Sequence, residues 1–170
     1  MTYKIIGAVL IVTACGGFGF RIASAQKREE RSLRQLISLL DFMECELQYR
    51  LTPLPTLCQQ AAQEGEGVLR QVFLQFSREL NDQISPDVQC CMTAALNKTP
   101  KLPGRTKQAL YALGKSLGRF DLGGQIKGLE AVRQHCRLEL EKLCQNQDVR
   151  LRSYRTLGLC AGAAVAILLI

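Results

Sequence analysis

Two uncharged apolar runs, one at each end of the chain, constrain its fold more than any other feature. Residues 5–20 and 156–170 carry no charge, whereas all 15 Asp and Glu and every Lys and Arg except Lys4 lie between them. A membrane-spanning helix needs roughly 17–25 apolar residues. We therefore predict an N-terminal membrane anchor at 1–20, a polar body at 21–155 and a short C-terminal anchor at 156–170.

Basic residues flank the inner side of both runs: Arg21, Lys27, Arg28, Arg150, Arg152 and Arg155. The positive-inside rule then predicts that the body lies in the cytoplasm. Lys4, the apolar run and Ala23-Ser24-Ala25 also imitate a cleaved secretory signal, although Arg21 interrupts that pattern. An exported, signal-cleaved, tail-anchored protein is therefore an alternative, which N-terminal sequencing would test.

The body has the pattern of an all-α bundle. Trp is absent and Leu and Ala dominate, which favours helices over strands. Leucines 33, 36, 40 and 47 recur three, four and seven residues apart, which is typical of an amphipathic helix. Prolines and glycines then predict five further helices, with N-caps at Thr52, Ser85 and Asp121 and a start at Thr106. The first and last helices are predicted to run without a break into the anchors.

The residue types that carry catalysis are scarce. The chain has one histidine, His135, and no CxxC pattern among its eight cysteines. Neither Gly16-Gly17 nor Gly123-Gly124 is followed by the Lys-Ser/Thr pair of a phosphate-binding loop. We predict that the protein is not an enzyme and binds no metal, cofactor or small-molecule substrate. The cysteines are interpreted as small apolar residues on buried helix faces, in a reducing cytosol.

Between Asp87 and Asp121 lies a basic segment that contains no acidic residue. It contains the candidate partner-binding residues Lys98, Lys101, Arg105, Lys107, Lys115 and Arg119. These residues form either a solvated face or a docking site for an acidic protein surface, since clustered like charge steers association. A membrane-bound nucleic-acid regulator is a third alternative. It is disfavoured because aromatic stacking platforms are lacking, so we expect no nucleic acid among the partners.

Small residues line the second anchor at Gly158, Gly162 and Ala166. Such spacing lets membrane helices approach closely, here against Cys15 and Gly19 of the first anchor. Glycine and alanine are also simply common in membrane helices, and that reading stays open.

Two motif segments give the chain a family resemblance. The first, an ExxY…TPLP pattern, comprises Glu46, Tyr49, Thr52, Pro53, Leu54 and Pro55. The second, an LGxxLG…DxxxQ pattern, includes Gly114, Gly118, Asp121 and Gln125. Together with the chain length and the two short anchors, they resemble the stage III sporulation protein AB family of endospore-forming bacteria.

The resemblance implies a six-helix cytoplasmic bundle similar to the F-domain of the type II secretion inner-membrane platform protein. It implies a scaffold of the channel between mother cell and forespore, in the mother-cell membrane around the forespore. The implied partners are an ATPase like stage III sporulation protein AA, other channel membrane proteins and the lipid bilayer, with a homo-oligomer left open. The motif residues are expected to determine the fold: the glycines by close helix packing, Asp121 as a cap, and the TPLP segment by setting an interhelical angle.

Overall fold

In the computed structural model, the described backbone covers residues 2–82, 87–118 and 121–169, and the described side chains cover 24–82, 87–118 and 121–145. All regular structure in these ranges is α-helical, so the all-α prediction is confirmed for them. The helices are α1 Thr2–Arg50, α2 Leu54–Glu64, α3 Gly67–Asn81, α4 Val88–Lys98, α5 Gly104–Ser116 and α6 Leu122–Leu169.

The chain divides into two compact units. One is Arg28–Leu140, and the other combines both chain ends, Met1–Lys27 with Glu141–Ile170. The side chains of the predicted anchors, 1–20 and 156–170, and of the small-residue stripe lie outside the described residues. Among the residues that are described, no helix has a stretch both long and apolar enough to cross a membrane.

The predicted leucine stripe of α1 forms part of the core of the Arg28–Leu140 unit. Leu33, Leu36, Leu40 and Met43 are all fully buried. Each such side chain contributes roughly 1.5–3 kcal/mol relative to an exposed one. The other helices supply further fully buried side chains: Leu57, Leu69, Phe73, Phe76, Met92, Leu96, Leu110, Leu113 and Leu129.

The start of α2 differs from the predicted one. Pro53, with φ −57° and ψ 141°, occupies the N-cap position, and the helix begins at Leu54. Thr52 therefore does not cap α2. Its hydroxyl instead donates to the Glu46 carboxylate at the end of α1, 3.3 Å away.

Two other helix starts are also displaced. Asp87 is the N-cap of α4 and its carboxylate accepts from the Gln89 amide at 3.3 Å, whereas the predicted cap Ser85 lies outside the described residues. Helix α5 begins at Gly104, so Thr106 lies inside the helix and is buried rather than opening it. A proline at the N-cap, Pro103, explains this earlier start, because its ring fixes φ at a value compatible with helix entry.

Ion pairs tie α1 to α6. The Arg133 guanidinium lies 2.6 Å from a carboxylate oxygen of Asp41 and 2.6 Å from one of Glu44. Arg133 and Glu44 are half-buried, so this contact is shielded in part from water. It joins residues that are 92 and 89 positions apart in the sequence.

Arg105, at the start of α5, forms a second junction. Its backbone N–H donates to the Glu29 carboxylate on α1 at 2.8 Å. Its guanidinium pairs with the Glu139 carboxylate on α6 at 3.2 Å. One residue thus holds three helices together.

These two junctions define the direction of α1 and α6 within the Arg28–Leu140 unit. Going from 29 to 44 along α1 corresponds to going back from 139 to 133 along α6, so the two helices are antiparallel. Residues 28 and 140 therefore lie at one end of the unit. Residues 50 and 122 lie at the other, which we call the distal end.

Candidate partner-binding surfaces

The structure gives Lys98 an internal partner. Its ammonium lies 2.6 Å from a carboxylate oxygen of Glu79, a buried residue on α3 that also accepts from Gln75 at 2.7 Å. These hydrogen bonds, that of Lys98 first, lower the pKa of Glu79 in spite of its burial. Lys98 therefore neutralises a buried carboxylate, and the Arg105 guanidinium neutralises the half-buried carboxylate of Glu139.

The remaining basic residues are differently placed. Lys107, Tyr111 and Lys115 follow one another at four-residue spacing on α5 and are all exposed. We call these three residues the α5 ridge. Lys101, in the preceding loop, is also exposed, and Arg119 lies outside the described residues. Within the described part of the chain, none of the lysines 101, 107 and 115 has an acidic partner.

Tyr111 is held in place at the centre of the α5 ridge. Its hydroxyl accepts a hydrogen bond from the Gln89 side chain at 3.0 Å, and the Lys115 ammonium lies 5.2 Å from the centre of its ring. The two lysines are about 12 Å apart along the helix axis. Two cations that have no acidic partner among the described residues, on either side of a fixed aromatic ring, suit a protein surface that carries carboxylates.

Two glycines of the second motif, residues 113–125, which we call the glycine segment, allow close contacts with α4 and the residue that precedes its buried face. A Cβ added to Gly114 would lie 2.7 Å from Cβ of Met92, so α5 and α4 approach closely there. Gly118 has φ 75°, and an added Cβ would collide with Val88. The Asp121 carboxylate accepts from the Gly124 amide at 3.0 Å, as expected for the cap of α6.

The first motif, residues 46–55, which we call the TPLP corner, is braced on two sides. Glu46 accepts from Thr52 and pairs with Arg50 at 3.3 Å. The Pro55 carbonyl accepts from the Ser77 hydroxyl at 2.9 Å, which fixes the corner to α3.

Two side chains of the TPLP corner nevertheless face solvent. Tyr49 is 77% exposed and Leu51 is 66% exposed. Leu51 also has φ 52°, in the left-handed region. Leu51 was not among the predicted site residues, although the sequence carries a signal: a position just past a helix end and shortly before a proline is where left-handed backbone commonly ends a helix.

The cysteines only partly follow the prediction. Cys58, Cys91 and Cys136 are buried, but Cys45 and Cys90 are exposed, so not every thiol lies on an apolar face. Burial raises the pKa of Cys58 and Cys91 and raises that of Cys136 to about 11. None of the six described cysteines forms a disulfide.

Other chemistry is sparse among the described residues. No group of three or more His, Cys, Asp or Glu side chains is placed to hold a metal ion within them. His135 is exposed on α6, beside the buried Cys136.

Comparison with known proteins gives one consistent relationship. The family model described as Stage III sporulation protein AB (spore_III_AB) matches residues 4–170. "Stage III sporulation protein AB" of Bacillus subtilis (strain 168) is 30% identical over 169 residues, which cover 98% of each chain. A solved structure described as stage III sporulation protein AB superposes with a TM-score of 0.63 at 26% identity, over 72% of this chain and 98% of that one.

Proposed function

Because the chain belongs to the stage III sporulation protein AB family, we propose that it is a membrane-anchored platform of the channel between mother cell and forespore. Family membership supports a role in sporulation. In this proposal the helical unit is a non-enzymatic scaffold that connects a cytoplasmic secretion-type ATPase, like stage III sporulation protein AA, to the membrane components of the channel.

The α5 ridge carries the ATPase contact in this proposal. The supporting observation is that Lys107 and Lys115 are exposed beside a fixed tyrosine, without an acidic partner among the described residues. A like-charged ridge speeds association with an oppositely charged surface. Lys98 and Arg105 support the fold instead, because Lys98 is paired with the buried Glu79 and Arg105 with the half-buried Glu139.

Charge reversal tests this contact. The full-length Lys107→Glu/Lys115→Glu variant is expected to associate with the ATPase at least about tenfold more slowly at low salt, because steering is lost. Stopped-flow or biolayer interferometry at several salt concentrations measures this rate. Arg70→Glu/Lys127→Glu is the matched control, since it makes the same charge change at exposed positions of α3 and α6. An association rate equal to that of the wild type would reject the ridge as the contact.

The proposed anchors place the helical unit in the mother-cell cytoplasm. The exposed Cys45 and the buried Cys58 make a matched pair of reporters for this orientation. In variants that keep only one of these cysteines, an impermeant maleimide should label neither thiol in intact cells. After lysis it should label Cys45 but not Cys58, whose pKa is raised by burial. Labelling of Cys45 in intact cells would instead support the exported alternative.

A further inference from the structure

The loop between α4 and α5 lies at the end of the helical unit that is opposite to the distal end, and we call it the proximal end. The start of α5 is fixed there, because the Arg105 backbone N–H donates to Glu29 at 2.8 Å and the Arg105 guanidinium pairs with Glu139 at 3.2 Å. Lys101 is an exposed residue of the same loop, shortly before Arg105. It therefore lies close to the first turn of the unit on α1 and to the last on α6, although both are distant in the sequence.

Four exposed basic side chains converge at the proximal end. They come from three separate parts of the chain: the first turn of the unit on α1, the loop before α5, and the last turn of the unit on α6. None of the four side chains has an ion pair or hydrogen bond among the residues that the structure describes. We call these residues the basic collar: Arg28, Arg31, Lys101 and Arg137.

The carboxylates of the proximal end are already engaged inside the unit. Glu29 accepts from the Arg105 N–H, and Glu139 pairs with the Arg105 guanidinium. Glu30 pairs with Arg34 at 2.9 Å. These three carboxylates are half-buried, whereas the basic collar is exposed. The accessible charge of the proximal end is therefore positive, and pairing within the described residues does not cancel it.

The path of the chain determines what faces the basic collar. The chain leaves the unit at the proximal end in both directions, before residue 28 and after residue 140, and each direction leads to an uncharged apolar run. The nearer run, 5–20, is separated from the unit by the seven residues 21–27. A helix of that length is about 11 Å long, and the headgroup layer of a bilayer is roughly 5–8 Å thick. With this run in a bilayer, the basic collar comes within about one Debye length, 8–10 Å, of the headgroups.

We propose that the basic collar binds anionic phospholipid headgroups and so holds the helical unit against the membrane surface. This inference rests on the proposed function, because the proposed anchors are what brings a bilayer to the proximal end. Each Lys or Arg near an anionic membrane surface favours the bound state about fivefold at physiological ionic strength. Lys101 is then a lipid contact rather than part of the ATPase contact, which remains the α5 ridge.

A reporter at Gly104 tests this contact in the full-length chain. Gly104 is exposed at the start of α5, and a Cβ added there meets nothing within 4 Å, so a Gly104→Cys variant can carry a fluorophore without crowding the fold. With the other cysteines replaced, the labelled chain is reconstituted into two kinds of vesicle. One is phosphatidylcholine alone, and the other is an equal mixture of phosphatidylcholine and phosphatidylglycerol. Energy transfer from the fluorophore to acceptors on the headgroups reports how many units contact the membrane surface.

Phosphatidylglycerol should raise the ratio of contacting to detached units at least about tenfold. About 1 M salt should abolish this increase, because it shortens the screening length to about 3 Å. The collar variant, Arg28→Gln/Arg31→Gln/Lys101→Gln/Arg137→Gln, should not respond to phosphatidylglycerol.

The matched control removes four exposed basic residues that lie farther from the proximal end, and it should respond like the wild type: Arg50→Gln/Arg70→Gln/Lys115→Gln/Lys127→Gln. An unfolding midpoint of the collar variant equal to that of the wild type shows that a lost response does not come from misfolding.

The results separate this inference from the proposed function. If the wild-type chain does not float with either kind of vesicle, membrane anchoring fails, and the proposed function and this inference fail together. If it floats but shows equal transfer in both lipid mixtures, or if the collar variant responds like the wild type, the collar is rejected and the proposed function stands. If the collar variant keeps its response to lipid but loses association with the ATPase, which the matched control retains, the collar serves a protein partner and the assignment is wrong.

Discussion

The glycine segment and the TPLP corner come from distant parts of the sequence and use their side chains in opposite ways. In the glycine segment, Gly114 has no side chain to collide with Met92, so α5 packs closely against α4 there. In the TPLP corner, a bulky side chain occupies a position where glycine would be easier, and it faces water. Both contain left-handed backbone, at Gly118 and at Leu51, but only one contains the residue that suits it.

This difference separates residues that a fold requires from residues that it merely tolerates. Replacing a residue of the first kind should destabilise the chain. Replacing one of the second kind should leave stability unchanged or increase it, and any harm should appear in binding. The following variants test whether the two segments divide in this way.

The largest loss of stability is expected at Gly118. Alanine there adds strain at φ 75° and a collision with Val88, together about 2–4 kcal/mol of unfolding free energy. Urea titration followed by circular dichroism measures this loss. Adding Val88→Ala should recover the part due to the collision but not the part due to φ. A Gly118→Ala variant within about 0.5 kcal/mol of the wild type would remove the contrast with Leu51.

Gly114→Ala should cost somewhat less, about 1–3 kcal/mol, because the new methyl group crowds Met92 while the backbone remains ordinary helix. Gly104→Ala is the matched control on the same helix, since nothing lies within 4 Å of its added Cβ. Equal stability of the two variants would show that α4 and α5 can move apart without cost.

The Asp121 cap should contribute less than the glycines. Asp121→Ala removes the acceptor for the Gly124 amide and is expected to lower the unfolding free energy by about 0.5–2 kcal/mol. Asp121→Asn keeps an acceptor and should stay within a few tenths of a kcal/mol of the wild type. A loss of the same size in both variants would point to charge rather than capping as the cause.

At Leu51 the sign should reverse. Leu51→Gly relieves the left-handed strain, partly offset by the greater freedom of glycine in the unfolded chain, so the unfolding free energy should rise by up to about 1 kcal/mol. Leu51→Asn is a companion variant, because asparagine tolerates this conformation without that added freedom. A decrease of more than about 1 kcal/mol in both would mean that the leucine packs against the fold, and the comparison would fail.

Local features were largely predictable from the sequence. The leucine spacing of α1 indicated which face is buried, and the proline and glycine positions indicated where one helix gives way to the next, although the starts of α2, α4 and α5 are displaced. The predicted start of α2 was wrong because the Thr52 hydroxyl had two possible partners: the first backbone N–H groups of the new helix, from which it could accept, and the Glu46 carboxylate behind it, to which it donates. The spacing alone does not decide between them.

The division of the basic residues was not predictable, because it depends on contacts distant in sequence. Glu79 lies 19 residues from Lys98, and Glu139 lies 34 residues from Arg105. Only the path of the chain brings these carboxylates to their partners. Charge patterning therefore indicated a basic segment but could not show which of its members are already neutralised.

The pairing of the first and last helices has a consequence for synthesis. Asp41 and Glu44 emerge from the ribosome long before Arg133 has been translated, so this closure comes late in assembly. Until then, the core lacks buried side chains of α6 such as Cys136. A message that stops before codon 133 would yield a chain with two unmatched carboxylates and uncovered apolar surface, which cellular proteases should remove.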